Sequence, residues 1–396
     1  MAIIRDKQKI NRLLTRGVEE IFVKADLEKK LLTAKKPLRI KLGFDPTGPN
    51  IHIGRAIVLR KLRDFQRLGH QIVFIVGDFT ALIGDPSDKL GKRPMLTAAQ
   101  VKQNLKQYKH QIGKIIDLKK SEFRFNSAWL KKLTLKEIAG LADVFTVQQM
   151  LARRNFKDRW TTGQEISLRE LLYPLMQGYD SLKVKADVEI GGFDQLFNLQ
   201  AGRAVQKYHR QPEQNILTIE MLEGLDGRKM STSWGNIVAI VDLPKDMFGK
   251  IMRVHDDLIK KYFRLCTDMA DGAIEEVLRL GPREAKLRLA QEIVTLYHGA
   301  AKAARARAEF IKVFTDKKTP ENMPVIAVTD SPLVLIELVM KTGVIASKNE
   351  ARRLISQGGV YIEDQRQRDA NACLNLQDGV VLKIGARRFF RIAIRK

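Results

Sequence analysis

Leu38-Arg39-Ile40-Lys41-Leu42-Gly43-Phe44-Asp45-Pro46-Thr47-Gly48-Pro49-Asn50-Ile51-His52-Ile53-Gly54-Arg55 is the stretch around which the rest of the chain is arranged. Leu38, Ile40, Leu42 and Phe44 alternate along a strand-like run, and two prolines and a glycine then stop either regular structure from continuing. From Ile53 onward Ile57, Val58, Leu62, Phe65 and Leu68 recur at helical spacing. Arg60, Lys61, Arg63, Asp64 and Arg67 fill the other face, and Gly69 suits the C-terminal end. His52 is therefore expected at a helix N-terminus beyond the carboxyl end of a strand, where free N–H groups and the helix dipole favour phosphate. Gly54, one turn in, lets a base or a phosphate approach the backbone closely. A histidine standing alone in such a place is more often a cap or a surface residue, so its neighbours carry the argument.

The next apolar run, Gln71 to Val76, reads as a second strand leading into Gly77-Asp78-Phe79-Thr80 and then Ile83-Gly84-Asp85-Pro86-Ser87. Strand, helix, strand at this spacing predicts an α/β fold, a doubly wound parallel sheet of the Rossmann-like kind. Ligands bind such sheets beyond the carboxyl ends of the strands, where Asp45, His52 and Asp85 all fall. Before about residue 36 the chain reads as amphipathic helices with Val18, Ile21, Phe22 and Leu27 buried. From 89 to 162 it is mostly helical with a short strand near Phe123-Arg124-Phe125, which reads as an insertion between the halves of the nucleotide fold.

Ser167-Leu168-Arg169-Glu170 is a capping-box pattern that starts a helix running to about Leu182. On it Tyr173, Gln177 and Asp180 share one face. Solvent exposure of that face and a polar binding site are about equally compatible with the spacing, because a buried polar stripe is costly unless something polar meets it. A third strand, Ala186 to Ile190, ends in Gly191-Gly192-Phe193-Asp194-Gln195. Further on, Asp226-Gly227-Arg228-Lys229-Met230-Ser231-Thr232-Ser233 combines glycine, a cationic pair and hydroxyls, the composition of a loop able to wrap a phosphate chain.

The chain has 396 residues, 70 Lys and Arg against 45 Asp and Glu, and a net charge of +25. Such a balance points to a polyanionic partner, with solubility through lysine as the plainer alternative. Cys266 and Cys373 lie far apart in no metal-ligand or disulfide pattern, which suits a reducing cytoplasm, and no protein-bound metal is expected. The amino terminus becomes charged at once and no apolar run approaches a membrane span, so neither export nor membrane insertion is expected. Segment 245–314 reads as helical, with a basic helix from Arg283 to Tyr297, and 315–332 as a linker. Residues 333–396 form a small α+β module with twelve Lys and Arg against six Asp and Glu.

Taken in order, these motifs resemble those of the bacterial tyrosyl-tRNA synthetases, members of class I. His52-Ile53-Gly54-Arg55 is similar to the HIGH signature, preceded by the Gly43-to-Thr47 run; Gly191 to Gln195 resembles the GxDQ element; Lys229 to Ser233 resembles the KMSKS loop. Arg55, Phe193 and Thr232 depart from those signatures. Ser347-Lys348-Asn349-Glu350, the helix after it, Gly358-Gly359 and Val360-Tyr361-Ile362 are similar to an S4 RNA-binding domain.

The resemblance implies a catalytic domain over 1–244 carrying the insertion, a helical tRNA domain over 245–314 and an S4-like domain over 333–396. It implies ATP as substrate with Mg2+, L-tyrosine and tRNA as partners, and a homodimer formed through the insertion. For catalysis it implies His52, Lys229, Arg55 and Thr232. For ATP it adds Asp45, Thr47, Gly54, Lys89, Arg93, Gly192, Asp194, Met230, Ser231 and Ser233. Asp180 would meet the phenol, Asp85, Tyr173 and Gln177 the α-ammonium group, and Gln195 the reacting carboxylate, with Gly43 and Lys41 also against the amino acid. One branch of the family places a phenol at the position of Lys41, which this chain lacks. Lys348, Arg352, Arg353, Arg387 and Arg388 would contact tRNA. A tryptophanyl enzyme or a non-aminoacylating RNA-binding paralogue are the alternatives.

Overall fold

The apolar runs become the strands of one sheet because, in a parallel sheet covered on both faces, nearly every side chain is buried. The computed structural model describes residues 2–46, 50–85, 97–152, 154–314, 323–329, 332–345, 347–363, 365–385 and 388–394. Its main sheet has six strands, β1 (Val18–Phe22), β2 (Arg39–Phe44), β3 (Gln71–Val76), β4 (Ser121–Phe125), β5 (Val188–Gly192) and β6 (Asn215–Ile219). They are ordered β1-β6-β5-β2-β3-β4. The pairs β2/β3, β2/β5, β3/β4 and β5/β6 are parallel, and only β1 runs antiparallel, against β6. Ile72, Val73, Phe74, Ile75 and Val76 of β3 are all buried. The helix Ile53–Arg67 turns Ile53, Ala56, Ile57, Leu62 and Phe65 inward.

Several segments differ from the sequence expectation. Val18–Phe22 is an edge strand rather than part of a helix, because Gly17 at φ +65° ends the first helix (Lys7–Thr15) and the free edge of β6 supplies hydrogen-bond partners. Phe22 is consequently half-exposed, with the Arg203 guanidinium 4.9 Å from its ring centroid. Within 89–162, Ser121–Phe125 is a full member of the main sheet, in register with Ile72 to Val76 of β3. The helix Ala98–Ile112 precedes it, and the short helices Ser127–Leu130, Leu135–Ala142, Val147–Leu151 and Arg154–Thr161 follow.

The helix Leu168–Val184 starts where expected, but its cap is modified. Ser167 Oγ accepts from Arg169 N at 3.3 Å, while Glu170 is drawn into a buried ion pair with Arg159 at 2.5 Å. Pro174 lies inside the helix.

The described chain groups into two compact units, Met1–Ala304 and Arg305–Lys396, the boundary falling within the helix Ala300–Phe314. In the first unit the helices Pro244–Ile251, Ile259–Cys266, Asp271–Arg279 and Pro282–His298 belong with the sheet domain. The second unit contains strands β7 (Val325–Val328), β8 (Leu333–Val334), β9 (Val360–Ile362), β10 (Gln365–Gln367), β11 (Cys373–Leu374), β12 (Val381–Ile384) and β13 (Arg388–Ile394). β7 arises inside the segment read as linker, where Val325 to Val328 alternate exposed and buried and pair in parallel with β13. Leu335, Leu338, Val339, Ile355, Leu382 and Ile392 form its core.

Candidate active site

The strand order reverses between β2 and β5, and ligands of doubly wound sheets occupy the crevice beyond the carboxyl ends at such a point. The ends of β2 and β5 lead directly to Asp45 and to the turn Phe193–Gln195. His52 caps the adjoining helix, its Nδ1 accepting from Arg55 N at 3.4 Å. The segment is held from the other side as well: Ile53 N donates to Val238 O and Ile240 N donates to Ile51 O, both at 2.9 Å. Burial first, then the charges of Arg55 and Lys229, push the His52 imidazole down to about 3. It is neutral near pH 7, and with Nδ1 accepting, its proton belongs on Nε2, a donor suited to a phosphate oxygen. Arg55 is exposed and donates from Nη1 to Tyr108 Oη at 2.8 Å. A Cβ on Gly54 would stand 3.1 Å from His52 Nδ1 and 3.4 Å from Met230 Sδ, so glycine lets the histidine and the signature loop close over the helix start.

Each member of the polar stripe on the helix Leu168–Val184 meets a polar partner, which removes the cost of burying it. Tyr173 Oη donates to Asp45 Oδ2 at 2.8 Å, and Thr80 Oγ1 donates to Asp45 Oδ1 at 2.7 Å. Gln177 Nε2 donates to Glu189 Oε1 at 3.1 Å. Asp180 accepts from Trp129 Nε1 at 2.8 Å and from Asn126 Nδ2 at 3.3 Å. Desolvation nevertheless dominates at Asp180 and raises its carboxyl to about 7, with Lys41, Trp129 and Asn126 pulling the other way. Tyr173 is pushed well above its ordinary value by burial and by the nearby carboxylates of Asp45 and Asp85. Asp85 and Gln195 are brought together, Gln195 Nε2 donating to Asp85 Oδ2 at 2.9 Å, and Asn198 Nδ2 orients the same amide at 3.0 Å. Gly43 is exposed at the end of β2. Lys41 is wholly buried, its ammonium 2.8 Å from Glu189 Oε1.

The signature loop is a folded structure. Asn236 organises it, accepting from Ser231 N at 2.8 Å and donating to Asp226 Oδ1 at 2.7 Å and Lys229 O at 3.1 Å. Met230 is buried, Thr232 is exposed, and Thr232–Trp234, which includes Ser233, forms one turn of 3-10 helix. Lys229 Nζ reaches across to Asp194 Oδ2 at 2.9 Å. Arg228 is held by Asp226 at 2.6 Å and stacks over Trp234, its guanidinium 4.6 Å from the ring centroid. A Cβ on Gly192 would lie 2.5 Å from Asp194 Oδ1, so the turn leaves that carboxylate its room only because glycine is there.

Thr47, Lys89, Arg93 and Arg387 lie outside the described residues. In the second unit Lys348, Arg352 and Arg353 are exposed on a helix whose Ala351 and Ile355 are buried, and exposed Arg388 donates to Val344 O at 2.9 Å. Sequence reasoning missed Asn126, Trp129, Glu189 and Asn236. Glu189 had a legible signal, the one charge within the otherwise apolar run Val188 to Gly192; that Lys41 lies opposite it only the sheet reveals. The other three stand in loops and short helices with no periodicity to mark them.

Residues 33–315 match the family described as tRNA synthetases class I (W and Y), and residues 316–391 match the tyrosine-tRNA ligase SYY-like C-terminal domain. The chain is 44% identical over 389 residues to the tyrosine-tRNA ligase of Thermotoga maritima, covering 96% of each. It is 44% identical over 393 residues to tyrosine-tRNA ligase 2 of Clostridium acetobutylicum, covering 97% of this chain and 98% of that one. Among solved structures it resembles a C-terminally truncated mitochondrial tyrosyl-tRNA synthetase of Coccidioides posadasii, with a TM-score of 0.62 and 25% identity over 77% of this chain and 92% of that chain. A tyrosyl-tRNA synthetase of Archaeoglobus fulgidus, complexed with L-tyrosine, shares the fold at a TM-score of 0.60 and 22% identity over 76% of this chain and 99% of that chain.

Proposed function

The chain belongs to the class I tRNA synthetases and, within them, to the tyrosine-tRNA ligases, and on that premise we propose the following division of labour among its residues. The reaction joins L-tyrosine to ATP, releases pyrophosphate, and passes the tyrosyl group from the adenylate to the terminal ribose of tRNA. The tyrosine carboxylate attacks the α-phosphorus in line, so no proton need be moved in the first step, and positioning with charge stabilisation carries it. His52 donates from Nε2 to the α-phosphate as charge grows there. Lys229 leaves Asp194 for the departing pyrophosphate, and Asp194 takes the ribose hydroxyls in its place. Thr232 adds a hydroxyl to the same loop, and Arg55 a nearby charge.

Asp180 accepts the phenol proton of tyrosine. Phenylalanine forfeits that hydrogen bond to a buried acceptor, which discriminates against it; the tyrosyl enzyme is the standing illustration of that logic. Gln177, Tyr173 and Asp85 surround the α-ammonium, with Gln195 at the carboxylate. Mg2+ would be held by the nucleotide's phosphate oxygens, where it would neutralise charge on the leaving pyrophosphate. The observation that carries this reading is the meeting of His52, the Lys229–Asp194 pair and the polar stripe of the helix Leu168–Val184 at the reversal of strand order.

We propose a homodimer joined through the helices after β4, where Leu135, Val147, Trp160 and Leu168 are exposed apolar side chains. Lys348, Arg352, Arg353 and Arg388 then contact tRNA phosphates, and the enzyme works in the cytoplasm. Among the described residues no helix is long and apolar enough to cross a membrane. The test of the amino acid pocket is exchange of labelled pyrophosphate into ATP. It should depend on tyrosine and on intact Asp180 and Gln177, and exchange supported equally by phenylalanine would overturn the assignment.

A further inference from the structure

Beneath the pocket lies a charge pair that the reaction does not use. Lys41 on β2 and Glu189 on β5 are register partners across the line where the strand order reverses, and both side chains are fully buried. The Lys41 ammonium has three protons and three acceptors, Gln177 O at 2.8 Å, Ser181 Oγ at 2.7 Å and Glu189 Oε1 at 2.8 Å. Glu189 is equally occupied. Its Oε1 also accepts from Gln177 Nε2 at 3.1 Å, and its Oε2 accepts from Ser181 Oγ at 2.9 Å and Gln214 Nε2 at 2.5 Å.

Stability alone does not account for such a pair. Burying two ions costs desolvation that their attraction only just repays, and apolar residues of similar volume are often as good or better. Its distinct product is orientation. A carboxylate only accepts, so Glu189 dictates that the Gln177 amide points its nitrogen downward. The amide oxygen is then turned the other way. An α-ammonium group only donates and therefore needs that oxygen, whereas a flipped amide would set two N–H groups against it.

We infer that Lys41 and Glu189 are a positioning pair that locks the Gln177 amide with its oxygen toward the substrate ammonium and thereby sets the affinity for tyrosine. Lys41 pairs with Glu189 and ties the backbone carbonyl of Gln177 and the hydroxyl of Ser181 to the same cluster. The inference rests on the reading above that Gln177 meets the α-ammonium group, and it makes Glu189 the reason the amide is ready to do so.

The experiment is steady-state pyrophosphate exchange with the full-length enzyme. Glu189→Gln keeps the shape but replaces one accepting oxygen with a donating nitrogen, so the side chain no longer dictates which way the Gln177 amide lies. It should raise the KM for tyrosine about tenfold, with kcat and the KM for ATP within about twofold of wild type. The exchanged pair Gln177→Glu with Glu189→Gln keeps one carboxylate and one amide in the cluster and puts an acceptor toward the ammonium whichever way the amide lies. It should return the KM for tyrosine most of the way to wild type, a rescue that a merely structural role would not produce. Should Glu189→Gln not fold, Lys41→Met with Glu189→Gln removes both charges together and should show the same selective rise. An unchanged KM for tyrosine in either folded variant, or an equal fall in kcat with all substrates, overturns the inference. Gln177→Ala separates the two readings. If it leaves the KM for tyrosine unchanged, Gln177 is not at the ammonium; if it raises that KM while the Glu189 variants do not, only the positioning role is lost.

Discussion

Lys229 Nζ and Asp194 Oδ2 stand 2.9 Å apart across the mouth of the crevice, joining the signature loop to the turn after β5. The cation assigned to the pyrophosphate and the carboxylate assigned to the ribose thus satisfy each other. Both are partly exposed, so the pair is weak and easily exchanged for a stronger partner. The loop does not rely on it, because Asn236 holds Ser231, Lys229 and Asp226 from within.

Lys229→Ala should therefore leave the fold and the KM for tyrosine nearly unchanged. A cation that acts as charge develops on the leaving group affects turnover, and its loss should slow adenylate formation at least about tenfold, or ~1.4 kcal/mol. Rapid-quench measurement of tyrosyl-adenylate is the check, and an unaffected rate would remove the loop from the mechanism.

Thr232→Lys should be tolerated or mildly activating. Thr232 is exposed at the start of a turn, and Arg228, the neighbouring cation, is committed to Asp226 and Trp234. A lysine here adds charge where the loop has none to spare. Strong inhibition in the same rapid-quench assay would mean that the hydroxyl itself is needed.

Asp180 predicts a pH dependence with a definite sign. Its carboxyl is raised from 3.8 to about 7, chiefly by desolvation, so between those values the folded chain holds a proton that the unfolded chain has released. Its contribution to stability is favourable below about pH 4 and is lost progressively as pH rises toward 7. Tyrosine binding goes the other way, because the ionised carboxylate is the better acceptor. The KM for tyrosine should fall as pH rises from 6 to 8, and Asp180→Asn should flatten both profiles and narrow the preference over phenylalanine. Thermal melts and exchange assays across pH 5 to 8 read the two effects.

Gly77→Ala should disturb the pocket without touching any substrate. A Cβ there would fall 1.9 Å from Asp45 Oδ1 and 2.3 Å from Thr80 Oγ1, and Asp45 in turn receives the Tyr173 hydroxyl. Displacement of Asp45 should destabilise the protein by ~1–3 kcal/mol, the range for overpacking, and raise the KM for tyrosine. Calorimetry and exchange kinetics on the variant decide it.

Removal of everything after Phe314 should spare adenylate formation and reduce tRNA charging at least about tenfold, or ~1.4 kcal/mol. The residues assigned to ATP and tyrosine lie within Met1–Ala304, and the exposed Lys348, Arg352 and Arg353 lie in the other unit. Pyrophosphate exchange and aminoacylation measured side by side on the truncated chain would contradict this if both were lost together in a folded protein.

Local sequence determined a good deal. The run from Leu38 to Gly69 specified a strand and a helix capped by His52, because periodicity, proline and glycine act over a few residues. Gln71–Val76 forms its strand with the expected limits, whereas the spacing of Tyr173, Gln177 and Asp180 left solvent and polar partners equally open and the fold supplied the partners. Tertiary structure alone decided the partners. Val18–Phe22 is a strand because the edge of β6 was free, and Lys41 faces Glu189 because β2 and β5 became neighbours. Trp129 reaches Asp180, and Lys229 reaches Asp194, across chain separations that no local pattern spans. The backbone's preferences are written residue by residue, but a hydrogen bond or an ion pair between distant residues exists only once the sheet has brought its ends together.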